Sequence, residues 1–382
     1  MYQTVNQLNE RHSCINFVLD PQICHPDPLS SILDDRSVEG HIEKLFDLET
    51  IGIKEDDPAS NSDQIQIEEF SNSIEKVDGQ YQVSLPWDKD KLALVNDGFA
   101  VSRAVVERVI KNLDSKGKLA DYHDVFQQQL RDGIIEEIPL HSSDESERVY
   151  IPHRAVIRED PNVTTKIRPV LNCSLKVGKN PSLNEAAFPG VDLMNDLLGI
   201  LIKVRCDNYL VMSDVKKAFL QIKLASVKDR NKFCILWKVD GRLVVYRYKT
   251  IVFGFVSSPF ILNYLVKHHV KNYPQDLCSQ FLSETIYVDN LFMTGNSPEQ
   301  VLILYKQAYE RMLEAGFDLG SWSSNCEELV LQCQRDGRAA DHGTSHEKLL
   351  GYHYLPRKDK LTVVVDHNLN PLCCLPKVKL LL

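Results

Sequence analysis

Paired cysteines, long apolar runs and internal repeats are all lacking in this chain of 382 residues. Its ten cysteines form no Cys-x-x-Cys pair and no Cys/His ligand spacing, which argues against a zinc ribbon or a disulfide framework. The strongest short apolar run, residues 197–202, cannot span a bilayer, and residues 1–20 hold no continuous apolar stretch. No Asp-Thr/Ser-Gly triplet of an aspartic protease is present. We therefore expect a soluble, cytoplasmic protein with reduced thiols and no membrane partner.

Acidic residues are concentrated in the first hundred residues, which contain 20 Asp and Glu against 7 Lys and Arg. The remainder contains 33 Asp and Glu against 37 Lys and Arg, so the formal net charge of −9 conceals a mildly basic portion. That portion permits contact with a polyanion without demonstrating it. Residues 22–73 are rich in Asp, Glu, Ser, Asn and Pro, and they predict a linker with one short helix at 41–51. Organised structure is expected to begin near residue 80.

Periodic patterns beyond that point predict both helices and strands. Val101, Val105, Val109 and Leu113 recur at a spacing of four, which indicates an amphipathic helix. Ser297 is predicted to cap a second helix that ends at Gly316, with Pro298 at its first position and Gln300 completing a capping box. The predicted strands are 81–85, 150–157, 166–171, 209–212, 233–239, 243–248, 285–288 and 291–293, with turns at 160–162, 240–241 and 289–290.

Two aspartates lie where predicted strands end. Asp214 follows the strand 209–212, and Asp289 lies in the turn of a predicted hairpin. Nucleotidyl transfer requires two magnesium ions held by carboxylates that converge from separate strands. Either aspartate alone is more often a helix cap or a turn residue. The order of the surrounding segments therefore decides between the two interpretations.

Three segments in sequence order resemble motifs A, B and C of reverse transcriptases: SDVKKAFLQI at 213–222, FGFVSSPF at 253–260 and YVDN at 287–290. Companion segments resemble those of Bel/Pao-type LTR retrotransposons. They are IPHRAVIRED at 151–160, TKIRPV at 165–170, PSLN at 181–184, DLLG at 196–199, GF at 316–317, WSSN at 322–325 and KLLG at 348–351. The resemblance covers residues 40–355, and it implies the RNA-directed DNA polymerase region of a retrotransposon polyprotein.

The fold that this resemblance implies is α+β. It is a right-hand polymerase with fingers, a ferredoxin-like antiparallel palm sheet and an incomplete thumb. The implied domains are an acidic linker following a lost protease region at 1–79, fingers and connecting segments at 80–205, a palm with motifs A, B and C at 206–345, and the truncated start of a thumb or connection at 346–382. RNase H and integrase regions would lie beyond residue 382.

The resemblance also assigns roles to particular residues. Asp214 and Asp289 would hold two Mg²⁺ ions, or Mn²⁺ in their place, with Asn290 beside them in the catalytic group. Lys166 and Arg168 alternate along a strand and so share one face, which suits gripping a triphosphate; an ordinary solvated strand has the same pattern.

Phe219 would be the steric gate that excludes a ribose 2′-hydroxyl, although its apolar neighbours also fit a core residue. Gly254 would allow a close approach of the backbone to template or nucleotide, and the plain alternative is a turn glycine. His268 and His269 have no partner motif, and we interpret them as packing or surface residues.

Two positions depart from the family pattern. Asn290 stands where a second Asp is usual, and an amide offers a carbonyl ligand without charge, so activity is expected to be weakened. Gly320–Ser321 stands where Arg–Lys is usual, which removes a candidate proton donor to the departing pyrophosphate.

The implied partners are an RNA template, a DNA/RNA primer–template hybrid and deoxynucleoside triphosphates, met in the cytoplasm or within virus-like particles. The sequence does not determine the oligomeric state. A competing hypothesis is a non-catalytic, nucleic-acid-binding remnant of a decayed element, in which the fold persists without turnover. A third is an artefactual gene model, which the uncovered apolar residues 380–382 would favour.

Overall fold

The computed structural model of the chain describes residues 61–142, 144–157, 167–338, 340–341, 347–349 and 352–362. Its helices are α1 Asn61–Asn72, α2 Lys89–Leu94, α3 Phe99–Ser115, α4 Leu119–Arg131, α5 Leu197–Lys203, α6 Val227–Arg230, α7 Ser258–Val270, α8 Leu277–Glu284, α9 Pro298–Glu314 and α10 Glu327–Arg335. Single 3₁₀ turns are Glu145–Glu147, Ala218–Gln221 and Pro356–Lys358. The strands are β1 Glu75–Val77, β2 Gln80–Val83, β3 Ile135–Ile138, β4 His153–Ile157, β5 Ile167–Leu171, β6 Tyr209–Val215, β7 Lys223–Leu224, β8 Cys234–Val239, β9 Arg242–Tyr248, β10 Asn290–Gly295, β11 Leu319–Ser324, β12 Ala340–Asp341, β13 Glu347–Leu349, β14 Tyr352–Leu355 and β15 Lys360–Thr362.

These residues divide into two compact units. The larger holds the described residues up to Glu347 together with 355–359, and the smaller holds those among 348–354 and 360–362. The sheets have two to four strands, and most of their pairings are antiparallel. The predicted mixture of helices and antiparallel sheets is therefore confirmed, whereas the division into fingers, palm and thumb stays a prediction.

The sheet that carries Asp214 has four strands in the order β10-β6-β11-β12. β6 pairs antiparallel with β10 on one side and with β11 on the other, and β12 runs parallel to β11. Leu210, Val211 and Met212 in its central strand are all buried, which explains why that segment reads as a continuous apolar run. β6 continues three residues past the predicted end at 212, so Asp214 lies within the strand.

Two predicted hairpins are present. β8 and β9 pair antiparallel around Asp240 and Gly241, whose φ values of 49° and 78° fit a two-residue turn with the twist of the flanking strands. β4 and β5 also pair antiparallel, with Arg168 opposite Val156. The predicted turn at 160–162 lies outside the described residues.

Helix α9 has the predicted cap. Ser297 accepts a hydrogen bond from the Gln300 backbone N–H at 3.3 Å. The Gln300 side chain accepts from Asn296 N–H at 2.9 Å, one residue before the position expected in a capping box. Gly316 follows the helix with φ of 81°, the left-handed conformation that ends helices.

Two predictions about element positions were wrong. The segment predicted as linker contains α1, whose Phe70 is buried. The centroid of its ring lies 5.3 Å from the ring centroids of both Phe260 and Tyr264. The predicted strand 285–288 is also absent, because α8 extends to Glu284 and the chain then turns at 288–289. The helix predicted at 41–51 lies outside the described residues.

Two buried histidines each join three elements through the same pattern of hydrogen bonds. His153 bonds the Tyr122 hydroxyl at 2.8 Å and the Leu236 carbonyl at 3.0 Å. His269 bonds the Tyr81 hydroxyl at 2.8 Å and the Arg311 carbonyl at 2.9 Å. A carbonyl only accepts, so Nε2 carries the hydrogen in both rings. His269 is therefore a packing residue, one of the two roles expected for it.

The structure bears on two features of the sequence, its short apolar runs and its cysteines. Among the described residues, no helix is both long enough and apolar enough to cross a bilayer. The cysteines described as free thiols are Cys173, Cys206, Cys234, Cys278, Cys326 and Cys333.

Candidate functional site

The pairing of β6 with β10 brings together the two segments that resemble motifs A and C. Asn290 is the direct cross-strand partner of Asp214, and residues paired in this way project from the same face of a sheet. Tyr287 and Asn290 exchange backbone hydrogen bonds of 2.8 and 2.9 Å, so Val288 and Asp289 form a two-residue turn. Of the three strands predicted to be adjacent around Asp214 and Asp289, β6 and β10 are neighbours, and the third, 285–288, is absent.

Oxygen atoms of three side chains are thus collected at one end of the sheet. The Asn290 amide donates to Oδ1 of Asp289 at 3.0 Å, which places these two side chains in contact. The Asp289 carbonyl accepts from Val215 N–H at 2.7 Å and ties the turn to the end of β6. Asp214, Asp289 and Asn290 are each partly buried as residues. Hard oxygen donors of this kind suit Mg²⁺.

The turn itself is strained. Val288 has φ of 54°, a left-handed conformation that is unfavourable for a β-branched side chain. Such a residue costs about 1–3 kcal/mol and persists only where the surrounding structure imposes it. Here the two Tyr287–Asn290 hydrogen bonds and the Asp289–Val215 bond impose it. Strain of this kind marks the turn as a candidate functional segment.

The environment of Asp214 is partly apolar. Burial raises the pKa of its carboxyl above the usual value, while a backbone hydrogen bond from Ser321 and the charges of Lys216 and Arg168 lower it. Arg168 is one of the two cations whose charge lowers the pKa of Asp214. A cation in this position is compatible with the predicted grip on a triphosphate. Lys166, its predicted companion, lies outside the described residues.

Gly254 makes a close approach, although to another part of the protein. A Cβ at this position would lie 2.2 Å from the Leu171 carbonyl oxygen, and its φ of 100° is accessible to glycine. Asn184 fixes the same loop by donating to the Gly254 carbonyl at 3.0 Å and accepting from Val256 N–H at 3.0 Å. Asn184 belongs to the PSLN segment, for which the sequence predicted no individual role. Its position in the PSLN segment was the signal that could have found it.

Phe219 lies in the 3₁₀ turn Ala218–Gln221, five residues after Asp214, and only 7% of its surface is exposed. Its ring packs against Phe253 at a centroid distance of 4.9 Å. Phe219 is thus a packing residue whatever else it does, and its role as a steric gate stays a prediction.

In the described part of the chain, no group of three or more His, Cys, Asp and Glu side chains is placed to hold a metal ion. The candidate site instead offers two carboxylates and one amide. With an amide at position 290, the site has one negative charge fewer than the resemblance predicts.

No protein-family profile and no curated protein matches the chain. Solved structures do. The foamy viral protease-reverse transcriptase in complex with double-stranded DNA has a TM-score of 0.43 at 16% identity, over 64% of this chain and 41% of that chain. The same protein in complex with an RNA/DNA hybrid has a TM-score of 0.43 at 14% identity, over 89% of this chain and 37% of that chain. The dRH form with double-stranded DNA has a TM-score of 0.41 at 17% identity, over 61% of this chain and 33% of that chain.

This chain therefore spans 33–41% of the length of those structures. Similarity at this level identifies no activity, substrate or partner for it. The strand register and the residues at the end of the β6–β10 ladder are the observations from which a function can be inferred.

Proposed function

We propose that this chain is the RNA-directed DNA polymerase region of a Bel/Pao-type LTR retrotransposon polyprotein. It would extend a primer on an RNA template with deoxynucleoside triphosphates, in the cytoplasm of its host. The observation that supports this most is the register of β6 and β10. It sets Asp214 of motif A opposite Asn290 of motif C, with Asp289 in the adjoining turn.

Magnesium fits the chemistry of these donors, because Asp214, Asp289 and the Asn290 carbonyl are all hard oxygen ligands. Asp214 and Asp289 would hold the ions, and Mn²⁺ could replace them. When bound, the metal would supply positive charge that offsets the developing charge of phosphoryl transfer. Asn290 orients Asp289 through its hydrogen bond of 3.0 Å. Arg168 would bind triphosphate oxygens, and Phe219 would exclude a 2′-hydroxyl by its bulk.

The second candidate function is nucleic-acid binding without turnover. It is favoured by the amide at position 290, which removes one negative charge from the proposed metal site. In that case the chain would bind a primer–template hybrid and leave the primer unchanged.

Primer extension on a homopolymeric RNA template with Mg²⁺ separates the two functions. We expect the chain to add deoxynucleotides, and we expect Asp214→Asn and Asp289→Asn to abolish the addition while retaining binding of the hybrid. Binding without extension, in Mn²⁺ as well as Mg²⁺, would favour the non-catalytic function. Extension that survives both substitutions would contradict the site assignment.

A further inference from the structure

Strand β11 contains a β-bulge directly opposite Asp214. β11 pairs with β6 at Leu319–Val215 and again at Trp322–Ser213, and the register shifts between these two pairs. Two residues of β11, Gly320 and Ser321, therefore face the single residue Asp214. Bulges of this kind often lie beside functional residues, because they redirect the local backbone.

Gly320 lies in contact with the Asp214 carboxylate. A Cβ at position 320 would be 2.5 Å from Oδ1 of Asp214, 3.1 Å from its Cγ and 2.9 Å from Cγ of Lys216. No real Cβ tolerates the first of these distances. Gly320 does not have a positive φ, so its backbone conformation alone does not demand glycine. A Cβ at position 320 would instead require the Asp214 carboxylate to move.

The oxygen that faces Gly320 is enclosed. Oδ1 of Asp214 is buried and has no hydrogen-bond partner among the described residues. Burying a carboxylate oxygen without a donor is unfavourable, and it persists only where the surroundings leave the group no better position. The bare Cα of Gly320 therefore accommodates an atom that any larger residue would displace.

We propose that Gly320 is a positioning residue, and that its close contact with Oδ1 and Cγ of Asp214 sets the orientation in which this carboxylate binds a cation. This inference rests on the proposed function, because it concerns how Asp214 of that site binds metal. It gives the departure from the Arg–Lys pattern at 320–321 a physical role. An arginine at position 320 could not occupy this space while Asp214 stays where it is.

The contact can be tested without activity by a double-mutant comparison of thermal unfolding. Gly320→Ala should lower the melting temperature of the full chain, and the fall should be smaller when Asp214→Ala has already removed Oδ1 and Cγ, which leaves only the contact with Lys216. Ser321→Ala is the matched control, because it shortens an exposed side chain in the same bulge and retains the backbone N–H. An equal fall in both backgrounds would overturn the proposal.

The positioning role has its own readout in Mn²⁺ binding, followed by loss of the electron paramagnetic resonance signal of the free ion. Asp214→Ala should weaken binding, and Gly320→Ala should weaken it by about 10-fold or more if it displaces a direct ligand, at a temperature where both variants are folded. Unchanged binding in Gly320→Ala alone overturns the positioning role. Unchanged binding in Asp214→Ala as well overturns the proposed function itself.

Discussion

At the scale of single residues, Asn290 has two roles in the hairpin. Its backbone closes the turn with Tyr287, and its amide donates to the Asp289 carboxylate. Aspartate at this position would keep the turn but would exchange a hydrogen-bond donor for a second negative charge about 3 Å from the first. Whether that exchange is favourable depends on whether a cation is bound.

We therefore expect Asn290→Asp to destabilise the metal-free protein and to improve its use of Mg²⁺. Without a divalent ion, repulsion between residues 289 and 290 should lower the melting temperature. With Mg²⁺, the added charge should lower the concentration needed for half-maximal primer extension, by about 10- to 100-fold if Asn290 acts mainly as an outer ligand. Magnesium titrations of extension and of thermal unfolding measure both effects. Identical titrations for the two proteins would show that the missing carboxylate is not limiting.

The roles of Phe219 in packing and in sugar selection can be separated with its ring partner. Phe219→Val should raise the ratio of ribonucleotide to deoxynucleotide incorporation, because exclusion by shape depends on bulk at this position. Phe253→Val removes the other half of the same ring contact and serves as the control for lost packing. Steady-state incorporation of paired nucleotides gives the ratio. If both variants shift it equally, or neither does, Phe219 is a core residue.

At the scale of elements, segments whose local chemistry agreed with their final structure were predictable. Asp240 and Gly241 both accept positive φ, and Ser297 with Pro298 is a strong helix start. Helix α1 was missed because its sequence is polar and acidic, and it is held by long-range packing of Phe70. The turn at Val288 was misplaced by one residue because a β-branched side chain is rarely found at positive φ.

His153 joins three elements, and the stability that it contributes depends on pH. Burial lowers its pKa to about 4 from 6.5, and its two hydrogen bonds suit the neutral ring. The folded-state pKa lies below the unfolded value, so the stabilisation is complete above pH 6.5 and is lost as pH falls toward 4. The loss amounts to about 3 kcal/mol in all, and to about 2 kcal/mol between pH 7 and pH 5.

His153→Gln should remove this pH dependence while retaining polar groups near Tyr122 and Leu236. The difference in unfolding free energy between the unmodified chain and the variant should therefore shrink by about 2 kcal/mol from pH 7 to pH 5. Denaturant unfolding at the two pH values measures it, with His141→Gln as a control because that ring is exposed. A constant difference would show that His153 does not titrate with unfolding.

At the scale of the whole molecule, charge is unevenly distributed along the chain. The excess of acidic residues lies within the first hundred, and the rest, which includes the candidate site, has a small basic excess of 37 over 33. Binding of a polyanion would therefore depend on the local placement of cations such as Arg168 rather than on net charge.

We expect the affinity for a primer–template hybrid to fall as salt rises. If about four phosphates are neutralised, raising salt from 50 to 200 mM should weaken binding roughly 100-fold. Arg168→Gln should make the dependence shallower, whereas Arg242→Gln, at the exposed start of β9, should not. Fluorescence anisotropy of a labelled hybrid gives the slopes. A salt-independent affinity would argue against a phosphate-contacting surface.

The candidate site was predictable in its residues but not in its contacts. Asp214 and Asp289 were proposed from the order of the motifs, and the pairing of β6 with β10 followed from the same resemblance. The contact of Gly320 with Asp214 spans 106 positions and depends on a bulge, and neither leaves a local pattern in the sequence. Asn184 joins its partners across 70 or more positions in the same way.

The two-residue turn at Val288–Asp289 also sets the register of the hairpin. Side chains alternate between the two faces of a sheet, so one residue inserted into the turn would advance β10 by one step against β6. Leu291, Met293 and every other apolar side chain of β10 would then change faces, and residue 290 would no longer stand opposite Asp214. Two inserted residues would restore the parity of the faces. Insertions of two residues should consequently disturb the site less than insertions of one, unless a longer loop takes up the single residue.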